Sequence, residues 1–122
     1  MMTALHTEIV KQFQNELVYK LGSIVNSIII YGSVARGDAR EGSDIDIMVI
    51  VEQKDRVISE AIRVIRDQLV CDSGYTITLA IETPDNLQRM LKAGDHFILN
   101  VLEEGQVLID QGKTFERLRK EE

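Results

Sequence analysis

The sequence predicts an α/β or α+β fold, in which helices pack against a small mixed sheet of about three strands. Two observations lead to this fold class. Segments with the apolar spacing of amphipathic helices alternate with short β-branched runs, and turn residues separate them. The 122 residues, 44% hydrophobic and 28% charged, are enough for one domain with a buried core. We therefore expect a single domain over residues 1–122.

The first half of the chain alternates between helix and strand. Apolar residues recur at three- and four-residue intervals over residues 5–21, which predicts an amphipathic helix that ends at Gly22. The β-branched stretch 23–31 predicts a buried strand. Gly32-Ser33 breaks this strand, and residues 34–36 can begin a short helix before a polar loop.

The second half continues the alternation. Residues 44–51 pass from alternating acid and aliphatic to wholly apolar, and residues 75–82 form another β-rich stretch, so both are predicted strands. A helical apolar period over residues 57–69 separates them. Thr83-Pro84 is typical of a helix start, and Asp95 can cap a further helix.

The end of the chain carries weaker signals. Gly105 ends the last predicted helix, and residues 107–109 form only a brief apolar run. After Gly112 we expect a charged tail.

Charge and composition limit the possible functions. A net charge of −6 and a pI of about 4.9 argue against an extended nucleic-acid surface, although a small anionic ligand can still bind. Cys71 is the single cysteine, so neither a disulfide framework nor a cysteine-based zinc site is expected. No apolar run approaches the ~18 residues of a membrane span. We expect a soluble cytoplasmic protein without membrane contact, and a homodimer or a heteromer stays possible.

Gly32-Ser33 has the features of a phosphate-binding turn. A strand that runs through Gly-Ser into a helix leaves backbone N–H groups without internal partners, and glycine allows an anion to approach them closely. Arg36 and Arg40 could add bidentate contacts to phosphate oxygens. The alternatives are a simple turn with a serine cap, and loop arginines that are solvated and form a salt bridge to a neighbouring acid. Asp38 and Glu41 are interpreted as loop charges.

Asp44 and Asp46 have the spacing of a metal site. Residues two apart in a strand point to the same face, so the two carboxylates project together while Ile45 and Ile47 face the core. Mg²⁺ prefers one or two carboxylates together with substrate phosphate oxygens. The alternative is a pair of solvated acids on an edge strand. A phosphate-binding turn beside an aspartate pair is the minimum for metal-assisted phosphoryl or nucleotidyl transfer.

In these residues the sequence resembles the DNA polymerase beta-like nucleotidyltransferase superfamily, and most of all its small prokaryotic branch, the minimal nucleotidyltransferases (MNT). Gly32-Ser33-Val34-Ala35-Arg36-Gly37 followed by Ser43-Asp44-Ile45-Asp46 matches the family's Gly-Ser and Asp-x-Asp pattern. The Glu104-Gly105-x-Val107-Leu108 stretch is also similar to the ends of these small domains. The resemblance covers roughly residues 5–110.

The resemblance implies a nucleotidyltransferase fold, Mg²⁺ or Mn²⁺ at Asp44 and Asp46, and ATP or another NTP held at Gly32, Ser33 and Arg36. It further implies transfer of a nucleotidyl group, AMP above all, to an acceptor hydroxyl. The implied context is that of an antitoxin paired with a HEPN-domain toxin, which active relatives modify with AMP.

One position departs from the family pattern. Active members place a third carboxylate on the next strand, where this chain has Thr76 or Thr78. Glu82 lies on the same face by parity but further along, and it becomes a catalytic candidate only in a different strand register. Two hypotheses therefore remain: a metal-dependent enzyme, or a catalytically inactive module of the same fold that binds nucleotide or a partner protein.

Overall fold

The computed structural model describes residues 3–40 and 42–121. Within them, helices and strands follow one another in the order α1-β1-α2-β2-α3-β3-α4-α5-β4-α6. The helices are α1 (Ala4–Leu21), α2 (Gly32–Arg36), α3 (Arg56–Ser73), α4 (Pro84–Lys92), α5 (His96–Glu104) and α6 (Thr114–Glu121). The strands are β1 (Val25–Tyr31), β2 (Ile45–Val51), β3 (Ile77–Glu82) and β4 (Gln106–Asp110). The predicted α/β class and alternation are confirmed.

The four strands form one mixed sheet in the order β3-β2-β1-β4. Strand β1 pairs antiparallel with both β2 and β4, whereas β2 and β3 pair in parallel. The parallel pair is joined by α3, because parallel neighbours need a long crossover connection. The sheet therefore places the end of β1 beside the start of β2, where Tyr31 faces Asp46 in the register.

The strand count is a correction to the prediction of about three. Strand β4 was predicted only as a brief apolar run, because its five residues include a glutamine and an aspartate at the two ends. It becomes a strand by pairing with β1, in which Ile28 lies opposite Ile109. Tertiary pairing supplies the hydrogen bonds that the local sequence does not specify.

The sheet is covered on both faces, which explains why its central strands are apolar throughout. One face packs against α1 and α3, and this core includes Phe13, Leu17 and Ile62. The other face packs against α4, α5 and α6, and its core includes Leu87 and Phe115. All these side chains are almost fully buried, and such burial contributes ~1.5–3 kcal/mol for each large apolar side chain.

The parity of β1 and β2 assigns the site to one of these two faces. Ile45, Ile47 and Val49 point to the α1/α3 core, as predicted, whereas Met48 and Ile50 point to the α4/α5/α6 core. Asp46 has the parity of the second group. Its carboxylate therefore lies on the face that α5 covers.

The C-terminal segment is a second correction, because the predicted charged tail is helix α6. Phe115 and Leu118 lie three residues apart on this helix and are buried in the second core. This apolar pair anchors a segment that is otherwise strongly charged. Among the described residues, no helix has both the length and the apolar character to cross a bilayer.

Candidate functional site

Strand β1 ends in a sharp corner at Gly32. Its φ is +72°, in the left-handed region that side chains other than glycine rarely adopt. A Cβ at this position would collide with the carboxylate of Asp46. The short helix α2 starts here and ends at Arg36, and the N–H of its C-cap residue Gly37 donates back to the Ser33 carbonyl at 3.1 Å. The corner is thus closed by an acidic side chain that lies directly over the glycine.

The two aspartates lie at the start of β2. Asp46 is inside the strand and half-buried, and Asp44 is the exposed residue immediately before it. The backbone is fixed here by Ile45, whose N–H donates to the Thr76 carbonyl at 2.9 Å. Asp46 is therefore adjacent to the Gly32 corner, and the negative charge of the neighbouring Asp44 is one of the causes that raise the pKa of Asp46.

This environment holds the pKa of Asp46 above its ordinary value. Burial is the largest cause, and the negative charges of Asp44 and Glu104 act in the same direction. The neighbouring Thr78 hydroxyl and the Arg36 guanidinium partly oppose the rise. A carboxylate in such surroundings gains from a cation, because a cation cancels the repulsion and replaces lost solvation.

Arg36 is already engaged by two carboxylates. Its Nε donates to Asp38 Oδ2 at 3.2 Å, and its Nη1 donates to the Glu104 carboxylate oxygens at 3.2 and 3.3 Å. Hydrogen bonds to Asp38 first and Glu104 second raise the pKa of Arg36, so its charge is permanent. Asp38, interpreted from the sequence as a loop charge, is instead the partner of this arginine.

Glu104 is the site residue that the sequence did not single out. It ends α5, and its Oε1 accepts from the Gly32 N–H at 3.2 Å. The contact joins residues 72 positions apart, so local patterns carry no signal for it. The only indication was the Glu104-Gly105 pair in the family resemblance. Arg119 holds this helix end in place by donating to the carbonyls of Leu102 at 2.9 Å and Gly105 at 2.8 Å.

The register of β3 decides the position of the third carboxylate. Thr78 lies directly opposite Asp46, whereas Glu82 lies opposite Ile50. Glu82 lies four positions after Thr78 along β3, a separation of ~13 Å. Glu82 instead accepts from the Asn86 side chain at 2.7 Å. This register removes Glu82 as a catalytic candidate and leaves a threonine beside the aspartates.

Arg40 and Glu41 are the two other loop residues considered in the sequence. Arg40 is exposed, and its backbone N–H donates to the Ser43 hydroxyl at 2.9 Å, which shapes the turn before Asp44. No contact of its guanidinium with the site is seen in residues 3–40 and 42–121. Glu41 lies outside the described residues.

Two rings lie beside the segment that carries the aspartates, the half-buried Tyr31 and the fully buried His6. Burial and the charge of Asp46 raise the pKa of Tyr31 to about 12, so this phenol stays protonated at physiological pH. His6 is fully buried in α1, with Nε2 3.2 Å from the Ser43 carbonyl oxygen, so it supports the segment that leads into Asp44. Sequence reasoning gave neither ring a role, because both act through long-range packing.

The donor set suits a hard divalent cation that is completed by substrate oxygens. Within the described part of the chain, no three His, Cys, Asp or Glu side chains are grouped to hold an ion by themselves. Asp44 and Asp46 supply two carboxylates beside the Gly32 corner. Mg²⁺ binds in this way in proteins that use it with phosphates, through one or two carboxylates and the phosphate oxygens.

A family model described as "Polymerase beta, Nucleotidyltransferase" matches residues 9–114. The chain belongs to this family. The match contains the Gly32 corner, both aspartates and Glu104, so all of the candidate site lies inside the shared domain. The resemblance to the DNA polymerase beta-like nucleotidyltransferases is thereby confirmed, together with the nucleotidyltransferase fold.

A relative within the family is the Methanocaldococcus jannaschii protein MJ0604, named as a candidate protein adenylyltransferase. It is 35% identical over 100 residues, which cover 81% of this chain and 93% of that protein. The matched part of this chain therefore spans nearly the full length of that protein.

Solved structures share the fold. A chain of a toxin–antitoxin crystal structure with AMP-PNP gives a TM-score of 0.60 at 18% identity, over 94% of this chain and 81% of that one. A chain of the complex of tri-AMPylated Shewanella oneidensis HEPN toxin with MNT antitoxin gives 0.55 at 15% identity, over 99% and 82%. At these identities the likeness shows the architecture of the family.

Proposed function

We propose that this nucleotidyltransferase-family protein transfers AMP from ATP to a hydroxyl of a partner protein. The observation that carries the proposal is the Asp46 carboxylate lying over the Gly32 corner, with Asp44 beside it. The acceptor hydroxyl would lose its proton to solvent as its oxygen bonds to the α-phosphorus, and the bond from that phosphorus to the oxygen that bridges to the β-phosphorus would break. Pyrophosphate would leave with the electron pair.

Each site residue has a role in this proposal. Asp44 and Asp46 hold Mg²⁺ or Mn²⁺, and Gly32, Ser33 and Arg36 bind the phosphates. The cation supplies charge neutralisation for the polyphosphate when bound. The protein contributes positioning and a partly desolvated setting in which fixed charges act strongly.

The acceptor is proposed from the relatives. One relative bears the name of a candidate protein adenylyltransferase, and fold neighbours include a complex of MNT antitoxin with an AMPylated HEPN toxin. A HEPN-domain protein is therefore the proposed partner and acceptor. The net charge of −6 supports a protein acceptor over an extended nucleic acid.

A second candidate function is favoured by one observation. Thr78 lies opposite Asp46, where a third carboxylate would complete the site, and a threonine hydroxyl is a poor proton acceptor at neutral pH. In this alternative the protein binds nucleotide or its partner without transfer and neutralises the partner by occlusion.

A labelling experiment separates the two candidates. Wild-type protein, a HEPN-domain protein from the same genome, Mg²⁺ and ATP labelled at the α-phosphate are mixed, and label on the partner is measured. We expect transfer by wild type and a loss of at least ~100-fold in Asp44→Asn and Asp46→Asn, because misplaced or missing charge at the reacting centre has effects of this size. Asp72→Asn, an exposed acid on α3, is the matched control and should transfer normally.

Thermal unfolding in the presence and absence of Mg²⁺ and ATP completes the test. Bound ligand raises Tm by mass action, so wild type should be stabilised and Asp46→Asn should not. Stabilisation without any label transfer, together with a tight complex, would establish the binding module instead. Equal transfer by Asp46→Asn and wild type would reject the enzyme.

A further inference from the structure

The Glu104 carboxylate occupies the position of an anion at the Gly32 corner. Its Oε1 accepts from the Gly32 N–H at 3.2 Å, and both of its oxygens accept from Arg36 Nη1. These donors are two of the three phosphate-binding groups in the proposed function. A negatively charged side chain of the protein therefore already satisfies them.

A carboxylate and a phosphate compete for such donors. Both bind a guanidinium through paired oxygens, and both accept from backbone N–H groups. The single N–H of Gly32 cannot be fully shared by two anions. Arg36 is partly occupied, because Asp38 takes its Nε while Glu104 takes its Nη1, and an incoming phosphate would have to displace Glu104 to bind the same Nη1.

The structure holds Glu104 in this position. Its side chain is 23% exposed, half the 46% of its partner Arg36. The helix end from which it projects is fixed by Arg119, through the carbonyls on either side. The contact is also electrostatically costly, since Glu104 adds negative charge next to Asp46. A polyphosphate entering beside it would meet this charge directly.

We propose that Glu104 is an internal competitor for the phosphate position, which fills the corner in the free protein and must turn away before a nucleoside triphosphate binds. The inference rests on the proposed function, because it concerns the regulation of the same site. Only one side chain has to rotate, since the helix end itself is anchored. Glu104 therefore weakens nucleotide binding and keeps the corner closed at low nucleotide concentration.

The alternative role for Glu104 is that of a third ligand of the metal ion, and in that role Glu104 would have the opposite effect on nucleotide affinity. A metal ligand strengthens nucleotide binding when Mg²⁺ is present, so its removal weakens binding. A competitor weakens binding with or without metal, so its removal strengthens binding. The two roles are separated by measuring affinity in both conditions.

The test is a titration of Glu104→Gln with inorganic triphosphate and with ATP, followed by calorimetry in EDTA and in Mg²⁺. Glutamine keeps the shape and removes the charge. We expect affinity for both ligands to rise about 3- to 5-fold in EDTA, the modest size typical of a charged contact that is partly open to solvent. Glu104→Ala, which also removes the acceptor, should bind at least as tightly as Glu104→Gln. Glu103→Gln is the matched control, since Glu103 is the exposed neighbour on the same helix, and its affinity should stay within about 2-fold of wild type.

Each other outcome overturns the inference. Unchanged affinity in Glu104→Gln rejects competition, and weaker binding confined to Mg²⁺ identifies a metal ligand. If wild type still transfers label through Asp44 and Asp46 in either case, the proposed function stands and only the inference fails. If neither wild type nor either Glu104 variant binds triphosphate or ATP, the nucleotide part of the proposed function fails as well.

Discussion

At the scale of single residues, the site depends on the absence of a side chain at Gly32. Two separate requirements meet at this position. The backbone has a φ of +72°, and the space that a Cβ would fill is taken by Asp46. The first requirement concerns the fold, and the second concerns the orientation of a functional carboxylate. The two requirements can be separated by comparing Gly32 with a glycine that has a positive φ but has free space where a Cβ would lie.

Gly94 offers this comparison. Its φ is +71°, and a Cβ there would meet nothing within 4 Å. Both Gly32→Ala and Gly94→Ala should lower the free energy of unfolding by ~1–2 kcal/mol through backbone strain, measured by urea denaturation. Only Gly32→Ala should also turn the Asp46 side chain away and reduce AMP transfer by ~100-fold. Normal transfer by Gly32→Ala would show that the close approach has no functional importance.

Asp46 is a residue at which function and stability oppose each other. Burial and repulsion raise the pKa of its carboxyl in the folded state. The folded protein therefore holds this proton more tightly than the unfolded chain. Protonation stabilises the fold at acid pH, and this contribution is lost as the pH rises through the folded-state pKa. At neutral pH without metal, ionised Asp46 is destabilising.

Asp46→Asn should consequently raise Tm in metal-free buffer at pH 7.5, by roughly 1–3 °C. The gain should disappear near pH 4 and below, where the wild-type carboxyl is increasingly protonated and resembles the amide. Circular dichroism melts at both pH values measure the effect, with Asp72→Asn as an exposed control. A lower Tm for Asp46→Asn at pH 7.5 would contradict the assigned cause of the shift.

These residues also show what local sequence can specify about a site. Gly32, Asp44 and Asp46 were predicted because a corner and a strand place them within 15 positions of one another. Glu104 reaches the same corner from 72 positions away, through the packing of α5 on the sheet. No periodicity in a single sequence carries that information. Thr78 was one of the two threonines predicted to lie near the aspartate pair, and it does lie opposite Asp46. Only the β2–β3 register shows that Glu82 lies too far along the strand to join that pair.

At the scale of elements, Asp110 connects three parts of the fold. It ends β4, and its Oδ1 accepts from the Ser27 hydroxyl and from the Phe115 N–H, both at 2.9 Å. Its Oδ2 accepts from the Glu116 N–H at 3.2 Å. One carboxylate thus fastens β1 to β4 and also satisfies the first N–H groups of α6.

Asp110→Ala should therefore cost more than the loss of an ordinary helix cap. We expect a decrease of ~2–3 kcal/mol in the free energy of unfolding, because the buried Ser27 hydroxyl and the start of α6 both lose a partner. Asp55→Ala is the control, since Asp55 caps α3 through the Ile58 N–H alone and should cost ~1 kcal/mol. Urea denaturation compares the two. Equal costs would mean that Asp110 acts as a cap only.

The elements that the sequence predicted poorly are the ones that depend on such connections. Strand β4 and helix α6 are short, and each contributes few apolar residues. Their structure comes from Asp110, from pairing with β1 and from the burial of Phe115. The longer elements α1 and α3 were predicted well, because 18 residues of helical period are a strong signal on their own.

At the scale of the whole molecule, the sheet order determines which residues can meet. Strand β1 is flanked by β2 and β4, so the end of β1 lies between the start of β2 and the α5–β4 connection. The corner, the aspartate pair and Glu104 come together for this reason. The alternation of helices and strands predicted the α/β class, but it could not predict that the C-terminal strand would take the position next to β1.

The α5–β4 connection also determines how freely this site can be redesigned. A Cβ at Gly105 would lie 2.5 Å from the Val101 carbonyl oxygen and 2.8 Å from Ile29 Cγ2. The position next to Glu104 therefore has no room for a single methyl group. The Glu104 side chain, in contrast, is 23% exposed and hydrogen-bonds to Gly32 and Arg36. Libraries that aim to change nucleotide affinity should vary residue 104 and leave residue 105 as glycine.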